Sequence, residues 1–242
     1  MHELKRAIIM AAGKGTRLHP VTLKTPKPLV AVNGTPMIET IISALHENDI
    51  HEIYVVVGYL KEQFAFLEEK YPGLRLVENP WYDSCNNISS LYVAREHLED
   101  AVILEGDQII SDPSILHRTF NRSGYSCIWS EGYTKEWFLT LDDEGIIVHC
   151  SPDGGTDGWQ LFGLSRWNGE DARRLRTHLE VEFEKRQNRQ IFWDNLALFC
   201  YPEEYRLGIY PIQAGQILEI DSLEELIRVD ASYAAYREGQ HE

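Results

Sequence analysis

Along the first hundred residues, short and wholly apolar runs alternate with apolar positions at helical spacing. Residues 7–11 (Ala-Ile-Ile-Met-Ala) are apolar at every position and run into Gly13, the mark of a strand buried on both faces. Met37, Ile38, Ile41, Ile42 and Leu45 then recur with the period of a helix, and residues 53–57 form a second apolar run ended by Gly58. Strand, helix, strand predicts a parallel crossover. The pattern repeats with Leu60, Phe64, Leu67 and Tyr71 on one helical face, a strand over 74–77, a helix through Leu91, Ala94 and Leu98, and a strand over 101–104. These units predict an α/β, Rossmann-like, doubly wound sheet that is mainly parallel.

From about Tyr125 the pattern changes to strand-like pieces at 125–130, 137–141, 146–149 and 160–165, separated by Asp, Gly and Pro turns. Helices are expected over 169–185 and 191–199, strands over 207–212 and 217–220, and a last helix opening at Ser222-Leu223-Glu224-Glu225 with capping-box spacing. The α/β core thus gains a small β extension. One domain over 1–242 is expected, with the core over 1–122 and the extension within 123–242.

Charge narrows the partners. The chain carries 23 Lys+Arg against 38 Asp+Glu, a net charge of −15, so its surface repels phosphate backbones and anionic membranes. Neither nucleic acid nor a membrane is an expected partner. Residues 1–30 run against this trend, with Lys5, Arg6, Lys14, Arg17, Lys24 and Lys27 against Glu3 alone, and an anion belongs near them. Cys85, Cys127, Cys150 and Cys200 stand far apart without a C-x-x-C pair, which fits free thiols in a reducing cytoplasm. The apolar run at 7–12 is too short to span a membrane.

The chemistry starts where the first strand ends. Gly13-Lys14-Gly15-Thr16-Arg17 lets backbone N–H groups approach phosphate oxygens. It is not a P-loop, because Gly15 follows the lysine where Ser or Thr is required, and His19 replaces the last glycine of G-x-G-x-x-G. Ten residues on, Thr25-Pro26-Lys27-Pro28 stiffens the chain around one lysine. Asp107 and Asp221 each follow an apolar strand, and two carboxylates arriving at one sheet edge can share Mg²⁺ with a triphosphate. Asp107 equally reads as a turn residue and Asp221 as a helix cap; Asp112 belongs to the turn with Pro113.

The run A-A-G-K-G-T-R-L-H-P-V-T-L-K-T-P-K-P-L-V resembles the signature of the nucleoside-triphosphate transferases that make nucleotide sugars and CDP-alcohols. The resemblance implies that 1–122 is the nucleotide-binding core, in which Ala11, Ala12, Gly13, Lys14, Gly15 and Thr16 hold the nucleotide, and that 123–242 is the acceptor-binding part and brings the second metal ligand. It implies that Arg17 contacts the pyrophosphate leaving group, that Lys27 neutralises charge at the α-phosphate, and that Asp107 and Asp221 hold Mg²⁺. Further markers at 58–64, 86–92, 136–139, 193–195 and 219–222 resemble one branch, the bacterial CTP:phosphocholine cytidylyltransferases. On that resemblance Asn87 and Ser90 contact base or ribose, although their place at a helix start also suits capping.

The implied reaction transfers CMP from CTP to phosphocholine. A quaternary ammonium donates no hydrogen bond and is held by aromatic faces and carboxylates, for which Tyr82, Trp137, Trp193, Asp194 and Glu219 are the candidates. Core packing is the other reading of the two tryptophans. A lysine usual in the family near the strand after Ile147 is missing from 150–155, leaving His149 as its stand-in. A sugar 1-phosphate or an aminoalkylphosphonate is the alternative acceptor. A non-catalytic nucleotide-binding regulatory subunit is the alternative of another class, disfavoured by the intact Lys27, Asp107 and Asp221.

Overall fold

The structure, a computed structural model, describes residues 1–237. Its centre is four parallel strands, β1 (Arg6–Ala11), β2 (Glu52–Val57), β3 (Leu74–Glu78) and β4 (Ala101–Glu105), in the order β3-β2-β1-β4. A short β5 (Gln108–Ile110) leaves the sheet after β4. Next come β6 (Gly124–Thr134), β7 (Phe138–Leu141), β8 (Ile147–Ser151) and β9 (Gly155–Trp167), then β10 (Gly208–Ile212) and β11 (Ile217–Glu219). β9 pairs antiparallel with β4, β6 pairs antiparallel with β9, and β10 lies parallel to β6. The β7–β8 hairpin lies beside the first half of β9, where Phe138 faces Gln160, so nine strands form one sheet among the described residues.

The apolar run at 7–11 is explained by two cores. Ala7, Ile9 and Ala11 point to one face, where α1 (Met37–Glu47) and α2 (Phe66–Lys70) supply Ile38, Ile41, Ile42, Leu45 and Leu67. Ile8 and Met10 point to the other, against α3 (Ile88–Val93) and α4 (Gly169–Glu180), which supply Leu91, Leu175 and Leu179. A strand that alternates its side chains between two dry faces has no polar position to spare.

A third, smaller cluster positions the site. Leu18, Val21, Val30 and Val32 from the segment after β1 pack on Ile220, Leu223 and Leu226, the last two from α5 (Leu223–Val229). Leu18 and Leu226 are wholly buried, and each such side chain contributes about 1.5–3 kcal/mol to holding the loop on the helix. The motif around Gly58 ties down the same loop: Tyr59 Oη donates to the Thr22 carbonyl at 3.0 Å and Gln63 Nε2 to the Lys24 carbonyl at 2.9 Å.

Several expected helices differ in detail: the one through Leu60 and Tyr71 is a 3₁₀ turn, Lys61–Phe64, followed by α2, and the one through Leu91 and Leu98 is α3 followed by a 3₁₀ turn, Arg95–His97. The helix over 169–185 forms, but its last turn, Val181–Lys185, widens to a π-helix. The helix over 191–199 forms only at Leu196–Cys200; residues 191–194 form bends and turns instead, with the Trp193 N–H donating to Asn87 Oδ1 at 3.0 Å. The four cysteines are free. Among the described residues no helix is long and apolar enough to cross a membrane.

Candidate active site

Lys27, Asp107 and Asp221 meet at the carboxyl edge of the parallel strands. Lys27 begins a 3₁₀ turn between Pro26 and Pro28 and is 6% exposed. Its Nζ lies 2.6 Å from Asp107 Oδ2 and 3.0 Å from Asp221 Oδ1. Arg17 donates to the same Asp221 oxygen at 2.7 Å. Burial alone would lower the Lys27 pKa, but the two carboxylates more than offset it and the ammonium is held above its ordinary value. Gly15 permits this approach: it sits at φ +61°, and a Cβ there would lie 2.8 Å from Lys27 Cβ.

The two aspartates are brought together by a ribbon. β5 pairs antiparallel with β11, Gln108 opposite Glu219, and the Ile220 N–H reaches the Asp107 carbonyl at 3.4 Å. Ser222 caps α5 in a full capping box, with Glu225 Oε2 accepting from the N–H groups of Asp221 and Ser222 at 2.8 and 2.9 Å. The cap is therefore Ser222, and the Asp221 carboxylate is free to face the cleft. One carboxylate oxygen from each of Asp107, Glu219 and Asp221 lies within 4.8 Å of the others. Asp107 sits in the turn between β4 and β5, as the turn reading has it, and from there its Oδ2 meets Lys27 while its Oδ1 is buried without a hydrogen-bond partner.

Three adjoining cavities form a trough around this cluster. A cleft of about 300 Å³ is lined by Ala11, Ala12, Gly13, Gly15, Thr16, Arg17, Lys27, Asn87 and Ser90. Behind it a cavity of about 180 Å³ lies among Asn79, Tyr82, Asn86, Ser89 and Ser90. On the other side of the aspartates, a cleft of about 310 Å³ is lined by Glu105, Glu136, Trp137, Phe192, Asp194 and Glu219. Lys14 stands apart from the trough lining and pairs with Asp83.

The third cleft is strongly acidic. Burial pushes Glu105 well above the usual carboxylate range, helped by the charges of Asp107, Asp194 and Glu219. Glu219 is pushed up to about 8 by burial and then by Asp107 and Asp221. Asp194 is pushed up to about 7 by burial, with the Tyr125 hydroxyl pulling the other way. Crowded acids of this kind are relieved by a cation.

Of the residues expected on the acceptor side, Trp137, Asp194 and Glu219 line this cleft, and two do not. Trp193 is 3% exposed and packs in the core between Tyr125 and Trp167, with ring centroids 6.2 and 6.0 Å away; its neighbour Phe192 takes the wall position. Tyr82 lines the cavity behind the glycine loop, folded against Gly58, where a Cβ would come within 2.7 Å of it. His149 lines a separate cavity with Tyr205 and Arg206, so it does not replace the missing lysine. Glu105 and Phe192 were not expected here. Glu105 ends an apolar strand, and the glutamate at the close of such a run was the available signal.

The model of the MobA-like NTP transferase domain matches residues 7–141. The chain is 46% identical to a 2-aminoethylphosphonate cytidylyltransferase from Lancefieldella rimae, over 96% of this chain and 94% of that one. It is 36% identical to a choline-phosphate cytidylyltransferase from Streptococcus pneumoniae, over 93% and 96%. The solved structure of a CTP:phosphocholine cytidylyltransferase from S. pneumoniae matches with a TM-score of 0.87 at 35% identity, over 94% of this chain and 98% of that one.

Proposed function

The chain belongs to the MobA-like NTP transferase family and is a nucleotidyltransferase; from that premise we propose that it is a Mg²⁺-dependent cytidylyltransferase acting on a small phosphonate or phosphate that bears a primary amine, with 2-aminoethylphosphonate the best fit. The observation that carries this reading is the acidic cleft beside the Lys27 cluster. A primary ammonium donates three hydrogen bonds, which suit the carboxylates of Glu105, Glu136, Asp194 and Glu219. A quaternary ammonium needs aromatic faces instead. With Trp193 and Tyr82 elsewhere, Trp137 and Phe192 are the aromatic side chains on the cleft wall. The Lancefieldella relative supports the same choice by its name.

Phosphocholine is the second reading. It is favoured by the edge-to-face pair of Trp137 and Phe192, centroids 5.9 Å apart at 86°, and by the pneumococcal relatives.

The residues present fit a divalent ion. Asp107, Glu219 and Asp221 offer an all-oxygen donor set, and the unpartnered Asp107 Oδ1 is the kind of buried atom that an ion satisfies. These three would hold Mg²⁺, which when bound neutralises charge on the α-phosphate and on the departing pyrophosphate. An anionic oxygen of the acceptor attacks the α-phosphorus and forms the new P–O bond. The α–β anhydride bond breaks, and pyrophosphate leaves with its electron pair. No general base is required, because the nucleophile is already ionised. What the chain supplies is alignment and charge: Lys27 faces the α-phosphate, Arg17 the leaving group, and the acidic cleft steers the amine so that the phosphonate points inward.

The test is pyrophosphate release with CTP, UTP, ATP or GTP against 2-aminoethylphosphonate, phosphocholine and glucose 1-phosphate. The expected result is the highest kcat/KM for CTP with 2-aminoethylphosphonate. A preference of ten-fold or more for phosphocholine transfers the conclusion to the second reading, and turnover only with the sugar phosphate refutes both.

A further inference from the structure

Asn79 sets which way the Ser90 hydroxyl can act. It follows β3, is 1% exposed, and its amide orientation is fixed by chemistry: the Trp81 backbone N–H can only donate, and it meets Asn79 Oδ1 at 2.9 Å. Nδ2 must therefore face α3. It donates to Ser89 Oγ at 2.9 Å and to Ser90 Oγ at 3.1 Å. Ser89 passes its own hydrogen to the Asn86 carbonyl at 2.8 Å, so that hydroxyl is fully engaged within the protein. Ser90 accepts from Asn79, yet among the described residues its own hydrogen has no acceptor. Ser90 is 6% exposed and lines both the glycine-loop cleft and the cavity behind it.

We propose that Asn79 is a positioning residue for nucleotide recognition, holding Ser90 as a hydrogen-bond donor to an acceptor atom of the bound base. The inference rests on the reading of this cleft as the CTP site. Cytosine presents two such acceptors, its C2 carbonyl and N3. A nearly buried hydroxyl with one lone pair already engaged and a free hydrogen is complementary to that edge. Aspartate at 79 would still accept from Trp81 but would draw the serine hydrogens onto itself, turning Ser90 lone pairs toward the cleft. The polarity of the contact would then be reversed with almost no change in shape.

Steady-state kinetics with CTP and 2-aminoethylphosphonate test this on the unaltered protein, Asn79→Asp, Ser90→Ala and the double variant. Each single change is expected to raise KM for CTP about five- to ten-fold and to leave KM for the acceptor in place, which a merely loosened fold would not do. The double variant is expected to be no worse than Ser90→Ala, since Asn79 acts through Ser90. Effects that multiply in the double variant overturn the proposal, as does an unchanged KM for CTP in either single variant. If Asn79→Asp does not fold, Asn79→Ala takes its place, with a rise of about three-fold that vanishes in the Ser90→Ala background; a rise that persists there overturns the proposal. Absence of turnover by the unaltered protein with CTP would refute the cytidylyl-transfer reading itself, a separate failure.

Discussion

Lys27 Nζ stands 2.6 Å from Asp107 Oδ2 across a sequence separation of 80 residues, in a pocket where the lysine side chain is 8% exposed. The same ammonium reaches Asp221, so one cation separates two carboxylates that would otherwise repel each other. Lys27→Ala is expected to lower kcat/KM by about 10²–10³. It should also destabilise the protein by about 3 kcal/mol, as breaking a buried ion pair does. Added Mg²⁺ should restore much of the lost Tm in a thermal-shift titration, because the freed carboxylates gain a replacement cation. A Tm indifferent to both the substitution and Mg²⁺ would remove the electrostatic account of the cluster.

Gly15 and Gly13 should respond differently to alanine. At Gly15 the backbone is left-handed, and a Cβ would lie 2.8 Å from Lys27 Cβ and 3.2 Å from Thr22 Cγ2. Gly15→Ala is expected to cost about 1–2 kcal/mol in backbone strain alone and, by displacing Lys27, to lower kcat/KM by up to about 10². A Cβ at Gly13 would meet nothing within 4 Å. Gly13→Ala should leave Tm in place and, on the proposed placement of CTP, raise KM for CTP, since that residue lines the glycine-loop cleft. Equal Tm losses in the two variants would contradict the structure.

How much of this was readable beforehand differs between strands and side chains. The double apolar character of residues 7–11 foretold a strand between two cores, and the two prolines flanking Lys27 foretold a fixed cation. Trp193 misled because an indole suits a core as well as a ligand box, and only packing against Tyr125 and Trp167 decides between them. The expected helix over 191–199 forms only in its second half: residues 191–194 turn instead, and the Trp193 N–H is held by Asn87, a partner more than a hundred residues away that no local pattern reveals. The contacts of Asn79 with Ser89 and Ser90 form only once α3 is folded over it, and no local pattern around Asn79 announces them.

Asp194 gives the acceptor cleft a pH dependence. Its carboxyl is raised from 3.8 to about 7. Between those values the folded protein keeps a proton that the unfolded chain has released, so this group's contribution to stability falls as pH rises across the interval. Binding of an ammonium acceptor favours the ionised form. KM for the acceptor should therefore fall by about ten-fold between pH 6 and pH 8, and Asp194→Asn should reduce that slope to the part owed to Glu219, which also ionises in this window, while raising KM at pH 8. The acceptor's own titration is common to both proteins and cancels in the comparison. A slope unchanged by Asp194→Asn would assign the effect elsewhere.

The capping box at the head of α5 links helix stability to the placement of the Asp221 carboxylate beside Lys27. Glu225 Oε2 accepts from both the Asp221 and Ser222 N–H groups, while Ser222 Oγ accepts from the Glu225 N–H at 3.3 Å. Ser222→Ala removes one half of this reciprocal pair and should cost about 1 kcal/mol, a Tm decrease of about 2–4 °C in a chain of this size. Glu225→Ala removes the group that holds the Asp221 backbone itself, so it should do more than lower Tm. The concentration of Mg²⁺ giving half-maximal rate is expected to rise severalfold in Glu225→Ala and to change little in Ser222→Ala. If both variants lose stability while neither alters the Mg²⁺ requirement, Asp221 is positioned by the β5–β11 ribbon and Leu223 packing alone, and the cap serves only the helix.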